Sequence, residues 1–320
     1  VASANCIKYV DATPVFCDIN PMTLNIDVNC FKQLLESDIE IDAVIPVHFG
    51  GSPCDMDAIY QLSHKKGVKI IEDASHAFGA TYKSGGRVGN CHYSDITTFS
   101  LHPVKGITAG EGGIITTNSE KIYNRLQLLR SHGICKGNFD LPGISEPGDD
   151  LIYKNEAIDD GLLNPWYYEM QSLGYNYRIT DIQCALVLSQ LKKIDKFIKR
   201  RHEIVRLYDE KLKGIENLSR TQIDSRDQSS NHIYVVRINF SKIGKKRGQI
   251  MRSLLEKGVG SQVHYIPVTK QPYYNNLGYK SADYPNSEEY YSEALTIPVY
   301  YSLSDEQVEQ IVQSLKEILS

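Results

Sequence analysis

The sequence contains no apolar run that approaches the ~20 residues needed to cross a membrane as a helix. It also lacks a long basic stretch, and its formal net charge is −4. Neither a nucleic acid nor an anionic membrane surface is therefore expected as the main partner. No HExxH pattern, no GxSxG elbow and no GxGxxG after a strand pattern occurs, and no metal site is expected.

Cysteine is sparse and shows no paired spacing. The seven cysteines are scattered, odd in number and without a CxxC pair. This distribution argues against a disulfide framework or a zinc site, and it favours reduced, mostly buried thiols in a cytoplasmic protein. The chain opens with Val1-Ala2-Ser3-Ala4-Asn5, without a starting Met or a signal-peptide pattern, and we interpret it as a piece of a longer protein.

The first half of the chain alternates strand and helix signals. Short apolar runs predict strands at residues 43–49, 68–71, 95–100 and 113–117. A helix is expected between Asp55 and Gly67, because acidic residues open this segment and lysines close it. Strands interleaved with helices of this length predict an α/β fold around a mostly parallel sheet.

The second half of the chain has a different pattern. Residues 136–165 are polar and rich in Gly, Pro and Asp, which predicts a long loop. Beyond it we expect helices at 180–193, 195–212, 245–257 and 304–319 and strands at 232–240 and 260–266. The 320 residues suffice for two domains, predicted as a large domain at 1–197 and a small α+β domain at 198–320.

Two charged residues follow predicted strands. Asp73 lies in Glu72-Asp-Ala-Ser-His-Ala, and Lys105 ends Ser100-Leu-His-Pro-Val-Lys before a glycine-rich run. In open α/β sheets, ligands bind beyond the carboxyl ends of the strands. A pyridoxal phosphate (PLP) enzyme requires a lysine that forms a Schiff base with the cofactor aldehyde, and a carboxylate that pairs with the pyridine nitrogen. The two positions therefore predict a PLP site.

Each candidate also has an ordinary interpretation. An acid after a strand is often a helix cap, and most lysines are solvated surface charges. Ser100 could donate its hydroxyl to a phosphate or be a strand serine without a role. His76 could contact a bound ring or be structural. Asn176 and Arg178 precede a helix start, where they could reach an anion or only support the helix cap.

Taken together, these motifs resemble the DegT/StrS family of nucleotide-sugar aminotransferases, in the fold type I class of PLP enzymes. The matching segments extend from Ala12 to Pro298, nearly the whole chain. They are His48-Phe-Gly-Gly, Glu72-Asp-Ala-Ser-His-Ala, Ser100-Leu-His-Pro-Val-Lys, Glu111-Gly-Gly, Leu129-Arg-Ser-His-Gly, Gly174-Tyr-Asn-Tyr-Arg and Gln262-Val-His-Tyr-Ile-Pro.

The resemblance implies a role for each site residue. Lys105 is the implied Schiff-base lysine, and Asp73 is the partner of the pyridine nitrogen. The family's dehydratase branch has histidine at the lysine position, so Lys105 favours transamination. Implied cofactor contacts are His76 on the hydroxyl side of the ring, Ser100 at the phosphate, and Asn176 at the phosphate of a neighbouring subunit's cofactor. The implied substrate-binding residues are Gln262, Val263, His264, Tyr265, Glu111 and Arg178.

The activity implied by the resemblance is transfer of an amino group from L-glutamate to C4 of a UDP-linked 4-keto-6-deoxy-N-acetylhexosamine. Such a reaction belongs to nucleotide-sugar biosynthesis of the pseudaminic acid type. The subunit-crossing role of Asn176 implies a homodimer with shared active sites. Two alternatives stay open: an aminotransferase for a GDP- or TDP-linked 4-keto-6-deoxyhexose, and a non-catalytic relic that binds a nucleotide sugar.

The resemblance also implies a missing segment. The family has roughly 75 to 80 residues before the point where this chain begins, including a phosphate-binding loop at a helix N-terminus. We therefore expect a large domain that is incomplete at its N-terminus, and weak PLP binding by these 320 residues alone.

Overall fold

The computed structural model describes residues 1–136, 157–160 and 162–319, and most of the loop predicted at 136–165 lies outside them. The helices are α1 (Ala2–Lys8), α2 (Val28–Glu36), α3 (Met56–Lys66), α4 (Glu120–Arg130), α5 (Asp181–Leu191), α6 (Ile194–Lys211), α7 (Arg247–Glu256), α8 (Pro272–Asn276), α9 (Pro285–Glu293) and α10 (Asp305–Leu319). The strands are β1 (Ala43–Val44), β2 (Lys69–Asp73), β3 (Ile96–Ser100), β4 (Gly113–Thr116), β5 (Ile134–Cys135), β6 (Ile158–Asp159), β7 (Leu162–Leu163), β8 (Glu169–Met170), β9 (Leu218–Arg220), β10 (Tyr234–Ile238) and β11 (Ala294–Ile297).

A four-stranded sheet in the order β1-β2-β3-β4 forms the centre of the first half. Strands β1, β2 and β3 pair in parallel, and β4 pairs antiparallel with β3. The parallel pairing of β2 with β3 brings their carboxyl ends, at Asp73 and Ser100, to the same edge of the sheet. The predicted α/β fold with a mostly parallel sheet is confirmed.

Helix α3 illustrates why the flanking segments fold as predicted. Asp55 precedes it and accepts a hydrogen bond from the N–H of Ala58, which satisfies one of the helix's unpaired donors. Gly67 ends it in a left-handed conformation, with φ at 73°. The apolar side chains of α2, α3 and the sheet then share one core, which includes Phe31, Leu35, Met56, Ile59, Ile70 and Phe99.

The second half builds its own core around an antiparallel sheet in the order β11-β10-β9. Helices α6, α7 and α10 cover this sheet with buried apolar side chains. The face predicted for α10 is buried as expected, and it consists of Val308, Ile311, Val312, Leu315 and Ile318. The predicted boundary between residues 197 and 198 falls inside α6, and the division into two domains stays a prediction.

Two strand predictions need correction. At residues 260–266, only Gln262 pairs with a strand, through Thr296 of β11. Two residues further on, the carbonyl of His264 accepts a hydrogen bond from Tyr290 Oη instead of from a neighbouring strand. At residues 43–49, the continuous ladder ends at Val44 and resumes only as one isolated bridge between Val47 and Asp73, because Pro46 has no N–H to donate.

None of the helices in the described ranges is both long enough and apolar enough to span a membrane.

Candidate active site

Asp73 ends β2, and two donors hold its carboxylate. Ser3 Oγ of α1 donates to Oδ2 at 2.7 Å, and the N–H of Ser75 donates to Oδ1 at 3.1 Å. Burial raises the pKa of this carboxyl group, but the hydrogen bonds from Ser75 and Ser3 outweigh burial and hold the pKa below its ordinary value. Asp73 is therefore an anion at neutral pH.

Lys105 lies in the loop that follows β3, near this carboxylate. Burial lowers the pKa of its ammonium group, and the charge of Asp73 raises it, with a net shift downward. Within the part of the chain that the structure describes, Lys105 Nζ takes part in no hydrogen bond or ion pair. A half-buried amine with a lowered pKa is more readily available in its neutral, nucleophilic form.

His76 is buried beside these two groups. Its Nδ1 accepts a hydrogen bond from the N–H of Gly50 at 3.4 Å, and its Nε2 lies 3.1 Å from Tyr265 Oη. Burial is the main factor that lowers the pKa of His76 to about 3, and the charge of Lys105 contributes next. The imidazole is therefore neutral, and both of its nitrogens already have partners.

His232 is a site residue that the sequence patterns did not single out. Its ring lies 4.5 Å from the ring of His76, and its Nδ1 is buried without a hydrogen-bond partner in the described part of the chain. Burial lowers the pKa of His232, and the positive charges of Arg201 and Lys105 add to this effect. No sequence motif marks His232, because its contact with His76 joins distant parts of the chain.

The segment from Gln262 to Tyr265 reaches this cluster with its last two residues. His264 Nδ1 lies 2.9 Å from Thr296 Oγ1. Burial lowers the pKa of His264, with a further contribution from the charge of Lys105. Burial raises the pKa of Tyr265, and the charge of Asp73 raises it further. His264 and Tyr265 therefore lie within electrostatic range of the candidate catalytic pair.

The first two residues of that segment form no hydrogen bond or ion pair with this cluster among the described residues. The Gln262 backbone pairs with β11, where its N–H donates to Thr296 O at 3.0 Å, and its side chain is exposed. Val263 is partly buried. Their predicted role in substrate binding stays a prediction.

Ser100 ends β3 with its hydroxyl in a turn. Its Oγ accepts a hydrogen bond from the N–H of His102 at 3.3 Å, which leaves the hydroxyl proton available for donation. Glu111 is exposed and lies 3.9 Å from His102 Nε2. Asn176 and Arg178 are also exposed, and no hydrogen bond or ion pair between described residues joins either of them to Asp73 or Lys105.

His48 of the His48-Phe-Gly-Gly motif does not line this cluster. Its side chain is fully buried on the other face of β2, where Nε2 lies 2.8 Å from Glu72 Oε2. Gly50 is the motif residue that reaches the site, through its N–H to His76. Among the residues described here, no group of three or more His, Cys, Asp or Glu side chains could hold a metal ion.

Comparison with known proteins identifies related enzymes. The sequence pattern of the DegT/DnrJ/EryC1/StrS aminotransferase family matches residues 1–316. The UDP-4-amino-4,6-dideoxy-N-acetyl-beta-L-altrosamine transaminase of Campylobacter jejuni is 33% identical over 319 residues, which cover 99% of this chain and 76% of that protein.

Two solved structures share the fold. PseC of Helicobacter pylori, an aminotransferase involved in the biosynthesis of pseudoaminic acid, has a TM-score of 0.85 and 28% identity, and the match covers 100% of this chain and 77% of PseC. The PLP form of Spr1654 from Streptococcus pneumoniae has a TM-score of 0.81 and 28% identity, over 99% of this chain and 78% of Spr1654.

These similarities confirm the fold type I interpretation, the transaminase activity and PLP as the cofactor of this family. The chain belongs to the DegT/DnrJ/EryC1/StrS aminotransferase family.

Proposed function

We propose that this protein transfers an amino group from L-glutamate to C4 of a UDP-linked 4-keto-6-deoxy-N-acetylhexosamine, with Lys105 and Asp73 as its catalytic residues. One observation carries the assignment of the two residues. An ionised carboxylate at the end of β2 lies near a half-buried lysine whose pKa is lowered, and both belong to the ligand-binding edge of the sheet.

The chemistry of the side chains fits PLP. Asp73 offers an anionic acceptor for a protonated ring nitrogen, and Lys105 offers an amine without a competing hydrogen bond among the described residues. Ser100 has a hydroxyl proton to donate to a phosphate oxygen. When bound, PLP supplies an aldehyde carbon and a ring that accepts an electron pair from the substrate.

Each catalytic residue has a defined task. Lys105 Nζ, in its neutral form, takes the proton from the α-carbon of glutamate, and in the second half of the reaction it returns a proton at C4 of the sugar. Asp73 holds a negative charge at the end of β2 and keeps its partner nitrogen protonated. The reaction converts glutamate to 2-oxoglutarate and the C4 ketone to an amine.

The substrate proposal is supported by the named relatives. The Campylobacter protein is a UDP-4-amino-4,6-dideoxy-N-acetyl-beta-L-altrosamine transaminase, and Helicobacter PseC is an aminotransferase involved in the biosynthesis of pseudoaminic acid. His264 and Tyr265 place polar groups near Lys105, where a sugar could be oriented. A GDP- or TDP-linked 4-keto-6-deoxyhexose is the competing substrate class.

The experiment compares the full-length protein with its Lys105→Ala variant. Each is purified with PLP and scanned for the cofactor's absorbance band, then supplied with L-glutamate and a panel of UDP-, GDP- and TDP-linked 4-keto sugars. We expect the band of the covalently held cofactor and the amino-sugar product only with Lys105 present. Lys121→Ala, which removes a lysine from α4, is the matched control and should behave as wild type.

Three results would contradict parts of this proposal. Turnover by Lys105→Ala at the wild-type rate would refute the catalytic assignment. Amination of only GDP- or TDP-linked sugars would refute the substrate class. A protein without any Lys105-dependent absorbance would favour the non-catalytic relic.

We also propose a homodimer. The segment that carries Asn176 also has strongly exposed apolar side chains, including Leu173 at 86%, Tyr177 at 72% and Ile182 at 77% exposure. A large exposed apolar surface is typical of an interface. Light scattering of the full-length protein should give twice the chain mass at micromolar concentration, and a monomer would contradict the proposal. The cytoplasmic location stays a prediction.

A further inference from the structure

The hydrogen bonds of His76 fix which of its nitrogens carries the proton. A backbone N–H can only donate, so Nδ1 of His76, which accepts from Gly50, is unprotonated. A neutral imidazole has one N–H, which must then lie on Nε2. Because Nε2 is 3.1 Å from Tyr265 Oη, the imidazole donates and the phenol oxygen accepts. The opposite tautomer would point two N–H groups at each other.

The surroundings of His76 keep the ring in this orientation. His232 packs at 4.5 Å and Phe49 at 6.2 Å between ring centroids. The carbonyl of His76 accepts a hydrogen bond from Ser230 Oγ at 2.6 Å, which anchors the backbone as well. With both nitrogens engaged and the ring enclosed, His76 has neither donor nor acceptor left for a ligand.

The proton of Tyr265 is therefore the one that remains available. Its oxygen already accepts from His76, so its O–H must be donated to another group. Tyr265 is 49% exposed, and its hydroxyl lies within electrostatic range of Asp73. No hydrogen bond from this hydroxyl to another described residue is present.

We propose that His76 is a positioning residue that orients the Tyr265 hydroxyl as a hydrogen-bond donor to an anionic or carbonyl oxygen of the ligand bound at Lys105 and Asp73. This inference rests on the proposed function, because it takes Lys105 and Asp73 as the centre of the site. It assigns to His76 an action through Tyr265 in place of direct contact with the ligand.

The test is a double-mutant cycle in the full-length protein, with His76→Met, Tyr265→Phe and both together. Two quantities are measured: the dissociation constant for PLP by equilibrium titration, and KM and kcat for conversion of the PLP form by L-glutamate. Loss of one hydrogen bond predicts a roughly tenfold effect for each single variant. If His76 acts through Tyr265, the double variant should be no worse than Tyr265→Phe.

A conservative replacement separates orientation from packing. The amide of His76→Gln can accept from Gly50 with its oxygen and donate to Tyr265 with its nitrogen, so we expect near wild-type values. The side chain of His76→Glu has the shape of glutamine but carries only acceptors, so the Tyr265 hydroxyl would turn towards it. The loss of PLP affinity or of activity with L-glutamate should then match that of Tyr265→Phe. The Gln and Glu pair keeps the test valid if His76→Met does not fold.

The two measurements distinguish the source of the ligand oxygen. Weaker PLP binding places the acceptor on the cofactor, whereas a raised KM for L-glutamate with unchanged PLP affinity places it on the amino donor; either result supports the proposal. Additive losses in the double variant, or His76→Gln as impaired as His76→Met, would overturn it. Absence of Lys105-dependent absorbance in the wild type would instead refute the proposed function.

Discussion

Ser3 Oγ donates a hydrogen bond to Asp73 Oδ2 at 2.7 Å, and this contact links helix α1 to the end of β2. The second oxygen of Asp73 is held by the N–H of Ser75. The two donors approach different oxygens, so they fix the plane of the carboxylate as well as its charge. Ser3 thus supports Asp73 from a position 70 residues away in the sequence.

Ser3→Ala should raise the pKa of Asp73, because burial, which opposes ionisation, would then be offset by fewer donors. Hydrogen bonds lower the pKa of Asp73 in the wild type, so the loss of one donor makes Asp73 protonate at a higher pH. Affinity for PLP, measured from pH 4 to pH 8 by absorbance titration, should fall roughly threefold to tenfold, with its acid limb displaced to higher pH.

Ser3→Thr is the matched variant, since it keeps the hydroxyl. It should restore most of the affinity and return the acid limb towards its wild-type position. An acid limb that is unchanged in Ser3→Ala would show that the Ser3 hydrogen bond does not support the charge of Asp73.

Lys105 should react as an unusually acidic lysine. Its pKa is lowered by burial, so its neutral amine appears at a lower pH than that of an exposed lysine. Covalent attachment of PLP, trapped with borohydride and quantified by mass spectrometry, should therefore level off at lower pH for Lys105 than for Lys121 of the same protein. Equal pH profiles for the two lysines would contradict a lowered pKa.

The Asp73→Asn variant should shift the pH profile of PLP attachment to Lys105 in a defined direction. The carboxylate raises the pKa of Lys105, so its removal should lower that pKa further and shift the labelling profile to still lower pH. The catalytic rate should nevertheless fall by about 10²-fold or more, because the charge that supports proton transfer is lost.

The residues of the candidate site that follow the ends of strands could be predicted from the sequence. Asp73 and Lys105 follow apolar runs that do form neighbouring strands, so the sequence order alone brought the two groups to one edge of the sheet. His232 and Ser3 could not be predicted in this way. Their partners, His76 and Asp73, lie in distant segments, and no local periodicity encodes a contact of that kind.

The strand predicted at residues 260–266 does not form, and the reason again lies in contacts with distant segments. Alternating residues such as Val263 and Tyr265 suit a strand, but a strand also needs a partner along its length. Within this segment, only Gln262 pairs with strand β11, and the His264 side chain and carbonyl are bound by Thr296 and Tyr290. This departure from regular pairing brings Tyr265 to His76.

Asp18 should prove important for stability at the start of α9. Its carboxylate is buried and accepts from the N–H groups of Asn286 and Ser287, at 2.9 and 3.0 Å, where the helix leaves donors unpaired. Asp18→Ala should lower the free energy of unfolding by roughly 1 to 2 kcal/mol, measured by urea denaturation. The exposed Asp38→Ala is the control, and an equal, small effect of both would contradict the capping role.

The carboxylate of Glu72 is the most enclosed charge of the first core. It is fully buried and accepts hydrogen bonds from Tyr82, Ser94 and Thr97 as well as from His48. His48 Nδ1 accepts the N–H of Cys54 at 3.0 Å, so this imidazole carries its proton on Nε2 and donates it to Glu72. Four side-chain donors therefore surround the buried carboxylate of Glu72.

Glu72→Gln should lower the free energy of unfolding by roughly 1 to 3 kcal/mol, because its amide nitrogen would face at least one donor in a buried site. Burial raises the pKa of Glu72, but the bonds from His48, Ser94 and Tyr82 lower it below the ordinary 4.5. This contribution to stability is therefore present above about pH 4.5 and is lost as the pH falls through the lowered pKa.

Urea denaturation from pH 3 to pH 7 should show that dependence in the wild type and a weaker one in Glu72→Gln. Glu36→Gln, which removes only an exposed ion pair with Lys32, is the control; an equal change in both variants would contradict the role of the buried carboxylate.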